Sequence, residues 1–333
     1  MTGDVRPVLK VDQLKAYYQV YLYGMDREVR AVDDVSLSIG RGEIYGVAGE
    51  SSSGKTSLIK AIAGAIKPPL RIVSGDVRFD FGDREQNLYA MSPDEVASIR
   101  WKHLSYIMQG SMNVLNPVRR IRHSFVDFAY RHMKVGKAEF IQRVGEHMQR
   151  LKLDPSLLNA YPHELSGGMR QRVTIALATI LTPDFIIADE PTTALDVIVQ
   201  RDVLTMIREI REEMGSAFLF VTHDMAVHAA IADRIAIVYA GRIVEEAPTR
   251  QLYAKPLHPY TKHLIASLPR IGDTKERPFL EGRPPNLAKP PEGCRFHPRC
   301  PLRMDICSKQ VPPMVAVEPQ RRVACFAVTG GAV

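Results

Sequence analysis

The sequence predicts an α/β domain over residues 1–250, followed by a small Pro/Cys-rich domain over 251–333. Three observations carry that reading. Up to Val244, short apolar runs alternate with segments of helical period. A glycine-rich turn stands between one such run and the helix pattern that follows. After Val244 the composition changes: 14 of the 23 prolines and all four cysteines lie there. The pairs Pro284-Pro285, Pro290-Pro291 and Pro312-Pro313 exclude long helices and central strands, because proline lacks an N–H and clashes with the preceding turn. The boundary falls near Pro248–Pro256, and the chain has neither an internal repeat nor a low-complexity tract.

With 45% hydrophobic and 24% charged residues in 333, the chain can bury a sizeable core. No apolar run approaches the ~20 residues needed to span a bilayer. The N-terminus carries Asp4 and Asp12 and lacks a signal-peptide pattern, so a cytosolic address is expected. The net charge is +7, and from Glu245 to Val333 there are 14 Lys/Arg against 8 Asp/Glu. Such a surplus could meet nucleic acid, an anionic membrane face or a bound anion, or simply be solvated surface.

The segment Glu43–Ala48 reads as a short buried strand, and Leu58, Ile59, Ile62, Ala63 and Ile66 mark one face of a helix. Between them Gly49-Glu50-Ser51-Ser52-Ser53-Gly54-Lys55-Thr56 fits the phosphate-loop pattern Gly-x4-Gly-Lys-[Ser/Thr], with Ser57 next in the helix. The glycines let backbone N–H groups turn toward an anion, Lys55 reaches β/γ-phosphates, and the Thr56 hydroxyl suits Mg²⁺. The helix N-terminus adds a favourable dipole.

Phe185-Ile186-Ile187-Ala188 reads as a central parallel strand buried on both faces, ending in Asp189 and Glu190. Ligands of open α/β sheets bind at that end. Asp189 is placed for the Mg²⁺ shell, and Glu190 to orient or deprotonate a water attacking the γ-phosphate. Upstream, Leu165-Ser166-Gly167-Gly168-Met169-Arg170-Gln171 opens the helical pattern Val173–Ile180. Ser-Gly-Gly at a helix start is a second anion-binding device. Two such devices far apart in one chain suggest a site shared between two subunits.

These residues resemble the ATP-binding subunits of ABC transporters, whose signature is Leu-Ser-Gly-Gly-Gln. Met169 stands where Gln is commonest, and Ser52 replaces a common glycine. The resemblance covers residues 8–248 and implies a P-loop ABC-type fold with a helical subdomain at about 92–182, and a head-to-tail dimer enclosing two ATP molecules. It further implies that Tyr18 stacks on adenine, with Tyr17 as a rival. Gln109 would sense Mg²⁺ and water, and Ser111–Pro117 would contact the transmembrane partner. Ser166, Gly167, Gly168 and Met169 would act in trans, Asp196 would communicate across the dimer, and His223 would contact the γ-phosphate.

Leu257-His258-Pro259-Tyr260-Thr261 resembles a segment of the oligopeptide and dipeptide importer ATPases. The spacing Cys294-x5-Cys300-x6-Cys307-x17-Cys325 in a cytosolic chain suits metal ligation better than disulfides. Zinc usually takes tighter pairs, so an iron–sulfur cluster on four thiolates fits at least as well. The branch resembled includes members with a [4Fe–4S] cluster on such a tail. Arg295, Arg299 and Arg303 interleave the first three cysteines and would lower their pKa values. Metal binding is expected to supply much of this segment's folding free energy.

The resemblance implies an ATPase energising an importer of di- or oligopeptides, with oligosaccharides as an alternative cargo. Its partners would be a second, related ATPase chain, two permease subunits and an extracytoplasmic solute-binding protein, at the cytoplasmic membrane face. A soluble ABC ATPase on nucleic acid is the rival from another class, but the tandem domains or long coiled-coil insertion usual there are not visible, and no nucleic acid is expected. A redox or metal sensor with a vestigial ATPase is the other rival.

Overall fold

A computed structural model describes residues 6–22, 24–82, 84–108, 110, 114–268 and 280–330. The chain opens with an antiparallel hairpin of β1 (Leu9–Leu22) and β2 (Met25–Ile39). Strand β3 (Ile44–Ala48) then runs through the glycine-rich turn into α1 (Lys55–Ile62). The helix stops earlier than its apolar period suggests, because Gly64 takes a left-handed φ of 60°. Ile66, beyond that stop, still packs on the same core. Strands β4 (Leu70–Asp80) and β5 (Glu85–Asn87) complete a four-stranded antiparallel sheet in the order β2-β1-β4-β5.

A mainly helical stretch follows, from α2 (Pro93–Ile99) past the short strand β6 (Leu104–Ile107) to α3 (Ile121–Phe128), α4 (Lys137–Arg150) and α5 (Gly167–Thr179). In α4 the buried residues Phe140, Val144, His147 and Met148 form one stripe at helical spacing. Helix α5 is buried along most of its length from Gln171 to Thr179.

The remainder of the core alternates strand and helix: β7 (Phe185–Asp189), α6 (Val197–Met214), β8 (Ala217–Val221), α7 (Met225–Ile231), β9 (Arg234–Tyr239) and β10 (Arg242–Pro248). Strand β3 pairs in parallel with β8 and β9, and β7 with β8 and β6. Every residue of β3, β7 and β8 is buried. Alternate side chains serve opposite layers. Phe185, Ile187, Leu219 and Val47 join the core shared with the small sheet and α1, while Ile186, Ala188, Phe218 and Phe220 pack with the helices. A strand covered on both faces must be apolar throughout, which is why these runs show no alternation.

The boundary stretch is occupied by α8 (Thr249–Ala254), and α9 (Pro259–Ala266), β11 (Val315–Glu318), β12 (Arg321–Val323) and α10 (Phe326–Thr329) follow. Strand β12 pairs antiparallel with β10, Glu245 opposite Val323 and Glu246 opposite Arg322. One sheet therefore runs β11-β12-β10-β9-β3-β8-β7-β6 through both parts of the chain. The tail also shares an apolar core with β9 and β10: Tyr239, Tyr260 and Phe296 are fully buried, with ring centroids 4.6–5.5 Å apart. The tail therefore draws folding free energy from this shared apolar core, a source that the sequence does not announce. Proline-rich segments cannot build their own layers, but they can lie on a sheet that already exists.

The tail's basic surplus has the same address. Arg295 binds Asp33, Arg321 pairs with Glu245 at 3.6 Å, and Arg322 binds Glu246. Asp33 also accepts from Tyr17 and Arg242. Burial pushes its carboxyl up, but these donors and cations outweigh it and hold the pKa below the usual value.

Candidate active site

The glycine-rich turn is shaped by backbone that only glycine fits. A Cβ on Gly49 would come within 2.2 Å of the Val238 carbonyl oxygen, and one on Gly54 within 2.0 Å of that of Ala31. Gly54 has a φ of 104°. Ser52, at φ 63°, occupies the left-handed region at the cost a side chain incurs there. Lys55 Nζ donates to the carbonyls of Gly49 at 2.7 Å and Glu50 at 2.8 Å, folded back over its own loop. Burial lowers its pKa, and Glu190, Asp189 and Glu50 partly counter that.

A cavity of about 380 Å³ opens over this loop. Tyr18, Val29 and Ala31 of the hairpin, Ser51–Ser57, Asp189, Glu190, Val221, His223 and Leu287 line it. The register of β7 against β8 pairs Asp189 with Val221, and the Glu190 amide donates to the Val221 carbonyl at 2.7 Å. Just beyond these strand ends two side chains meet: His223 Nδ1 is 3.0 Å from Glu190 Oε1, and Thr193 donates to Glu190 Oε2 at 2.6 Å. Burial raises the Glu190 pKa, but these hydrogen bonds and the nearby positive charge leave it below the ordinary value. Asp189 differs. Burial pushes it up to about 6, although Tyr106 donates to it at 3.2 Å. Two adjacent carboxyls thus hold their protons differently.

Of the two tyrosines, Tyr18 lines the cavity, its hydroxyl 3.0 Å from Ser57 Oγ, whereas Tyr17 is buried and donates to Asp33. Val29 and Leu287 were not anticipated from the sequence. Leu287 reaches the cavity because its carbonyl accepts from the Arg30 amide at 3.0 Å, a contact with no local signal.

Ser166–Met169 lie away from this cavity. Ser166 caps α5, its hydroxyl accepting from the Met169 amide at 3.2 Å, and is exposed. Gly168 leaves no room for a Cβ, which would sit 2.6 Å from Val199. Asp196 caps α6 through the Val199 amide at 2.9 Å, and beside it Val197 and Ile198 are 81% and 76% exposed. Gln109 and residues 111–113 of the loop Ser111–Pro117 lie outside the described residues. Of that loop, Leu115 is buried and Val114 exposed.

A model of the ABC transporter family matches residues 32–193, and one of the oligopeptide/dipeptide transporter C-terminal region matches 244–307. The chain is 38% identical to the dipeptide transport ATP-binding protein DppD of Caldanaerobacter subterraneus subsp. tengcongensis, over 96% of each protein. The chain belongs to the ABC transporter family. It is 37% identical to the oligopeptide transport ATP-binding protein OppD of Salmonella typhimurium, over 90% of this chain and 89% of that one. Its fold matches a dimeric post-hydrolysis ATP-binding cassette, MJ0796 with ADP and phosphate bound, at a TM-score of 0.63 and 26% identity, over 73% of this chain and 99% of the other. As an ABC ATPase it binds and hydrolyses ATP.

In this ABC ATPase the four cysteines are neighbours. Cys294 lies within electrostatic reach of Cys300, Cys307 and Cys325, and its amide donates to the Cys307 carbonyl at 2.8 Å. Among the described residues, however, no group of three or more His, Cys, Asp or Glu is arranged to hold a metal ion. The thiols therefore do not form a closed ligand set in this geometry. The expected lowering of their pKa values is also corrected. Burial, then the other thiols, push Cys294 up to about 11, and Cys300 and Cys325 are raised too. Arg295 and Arg299 cannot reverse this, because their guanidinium groups face Asp33 and Glu50 instead.

Proposed function

We propose that this ABC ATPase powers import of di- or oligopeptides, with the cavity over the phosphate loop as its hydrolytic site. The observation that carries the site is the meeting of Lys55, Asp189, Glu190 and His223 around one cavity. In this reading Tyr18 stacks on adenine, and the loop Gly49–Ser57 cradles the phosphates through backbone amides other than that of Glu50, which the Tyr260 hydroxyl engages. Lys55 leaves the carbonyls of Gly49 and Glu50 for the β/γ-phosphates. Thr56 and Asp189 suit a Mg²⁺ ion, a hydroxyl and a carboxylate lining the same cavity, with Gln109 as a further ligand; the metal would neutralise charge on the phosphates. Glu190, ionised and fixed by Thr193 and His223, orients or deprotonates the attacking water. His223 then contacts the γ-phosphate.

Ser166, Gly167, Gly168 and Met169 would complete the site of a second, related ATPase chain, with Asp196 and the exposed Val197 and Ile198 at the contact. Closure would move two permease subunits through the Gln109–Pro117 region, and a solute-binding protein would deliver cargo on the far side. No helix among the described residues is long and apolar enough to cross a membrane. Working with those permease subunits, the chain would sit peripherally, at the cytoplasmic face. The peptide cargo is supported by what DppD and OppD are named for. Glu190→Gln is the test: retained ATP binding with lost turnover supports this site, and unaffected turnover refutes the role of Glu190.

The finer reading of the tail is that Cys294, Cys300, Cys307 and Cys325, an open set in this geometry, would close around a [4Fe–4S] cluster, with zinc the competing occupant. Its support is the gathering of Cys300, Cys307 and Cys325 around Cys294, whose thiolate a bound cation would favour. Visible absorbance and metal analysis of anaerobically purified protein decide between them. Protein free of both iron and zinc would end the reading.

A further inference from the structure

Glu50 is gripped by two side chains that do not line the cavity. Its amide donates to the Tyr260 hydroxyl at 2.9 Å, and Arg299 forks onto its carboxylate, Nη1 to Oε2 at 3.1 Å and Nη2 to Oε1 at 3.3 Å. The Glu50 carbonyl in turn accepts from Lys55. One residue of the phosphate loop is thus held between the lysine that meets the nucleotide and two side chains from the tail.

Those two side chains are themselves fixed. Tyr260 is fully buried against Tyr239 and Phe296. The start of its helix is set by His258, whose Nδ1 accepts the Tyr260 amide at 3.1 Å, and by Glu245, which accepts the Leu257 and His258 amides. Arg299 also donates to the Tyr239 hydroxyl at 3.3 Å, and its side chain is 7% exposed. The segment Leu257–Thr261 therefore has a job that the hydrolytic reading leaves unassigned.

We propose that Tyr260 and Arg299 are positioning residues for the phosphate loop: the tail holds Glu50 so that the cradle keeps its shape when Lys55 moves to the nucleotide. This rests on the cavity being the ATP site. A preformed cradle improves binding by removing the cost of ordering it, and it leaves the chemistry at Glu190 alone. Losing either contact should therefore raise KM and Kd for ATP and spare kcat.

The test uses the full chain and ATP, comparing wild type with Tyr260→Phe, Arg299→Gln, Glu50→Gln and the Glu50→Gln/Arg299→Gln pair. Tyr260→Phe should weaken ATP binding about three- to tenfold, the range expected for one lost hydrogen bond, and Arg299→Gln, which loses a forked pair, by at least as much, both with kcat near wild type. Arg299→Gln should add nothing in the Glu50→Gln background, because its action runs through that carboxylate. Tyr260→Phe keeps the buried ring, so it reads the hydroxyl without dismantling the tail. Wild-type affinity in both tail variants, or an Arg299→Gln loss that is the same with and without Glu50, would overturn the proposal. Failure of the wild type to bind ATP would instead remove the site reading beneath it.

Discussion

His223 Nδ1 lies 3.0 Å from Glu190 Oε1, across the C-terminal ends of two neighbouring strands. The strand register brings them together, and the imidazole helps hold the carboxylate ionised. His223→Ala leaves Thr193 as the remaining side-chain partner of Glu190. Turnover should fall on the order of 10²-fold, the scale of a misplaced general base, while ATP affinity changes far less. Single-turnover hydrolysis with a parallel binding titration checks this; an equal loss in both would mean that His223 acts on binding.

The phosphate loop contrasts two substitutions. Ser52→Gly places the residue that tolerates φ 63° at that position, and should leave stability within about 1 kcal/mol of wild type, with any change modest. Gly54→Ala forces a Cβ to 2.0 Å from the Ala31 carbonyl oxygen and should abolish nucleotide binding, destabilising the loop. Melting curves with and without ATP separate the two. A Gly54→Ala protein that still gains stability from ATP would contradict the geometry.

Asp33 anchors the tail through Arg295. Removing its charge strands buried guanidinium groups, so Asp33→Asn should cost about 3–5 kcal/mol, and protease sensitivity should appear first around Arg295. Pairing it with Arg295→Met, which removes the stranded cation, should recover part of that loss. Denaturant unfolding of the wild type and these two variants provides the measurement.

Three buried histidines make stability depend on pH. Burial depresses His147 and His228 to about 4 and His258 to about 3. In the unfolded chain each takes a proton near 6.5, so the folded state binds fewer protons below that value. Their stability contribution is complete above pH 6.5 and is lost as pH falls below it, by up to about 1.4 kcal/mol per histidine per pH unit. His258→Asn keeps an acceptor for the Tyr260 amide without titrating, and should flatten the fall measured between pH 6.5 and 5. An unchanged slope would show that His258 takes no part.

What the amino-acid order determined by itself was local. Gly49–Thr56, the apolar run into Asp189 and Glu190, and the Ser-Gly-Gly start of α5 each announce themselves because backbone shape and chemistry sit in contiguous residues. The proline surge likewise announces short elements after Val244, for lack of amide donors. Tertiary structure alone decided which of Tyr17 and Tyr18 meets the cavity, since adjacent strand residues point to opposite faces and both are tyrosine. It also decided that the tail arginines serve Asp33 and Glu50, 262 and 249 positions away, rather than the cysteines between which they stand. A guanidinium group could pair with many acids along the chain, and only packing the tail onto β9 and β10 brings these two within reach.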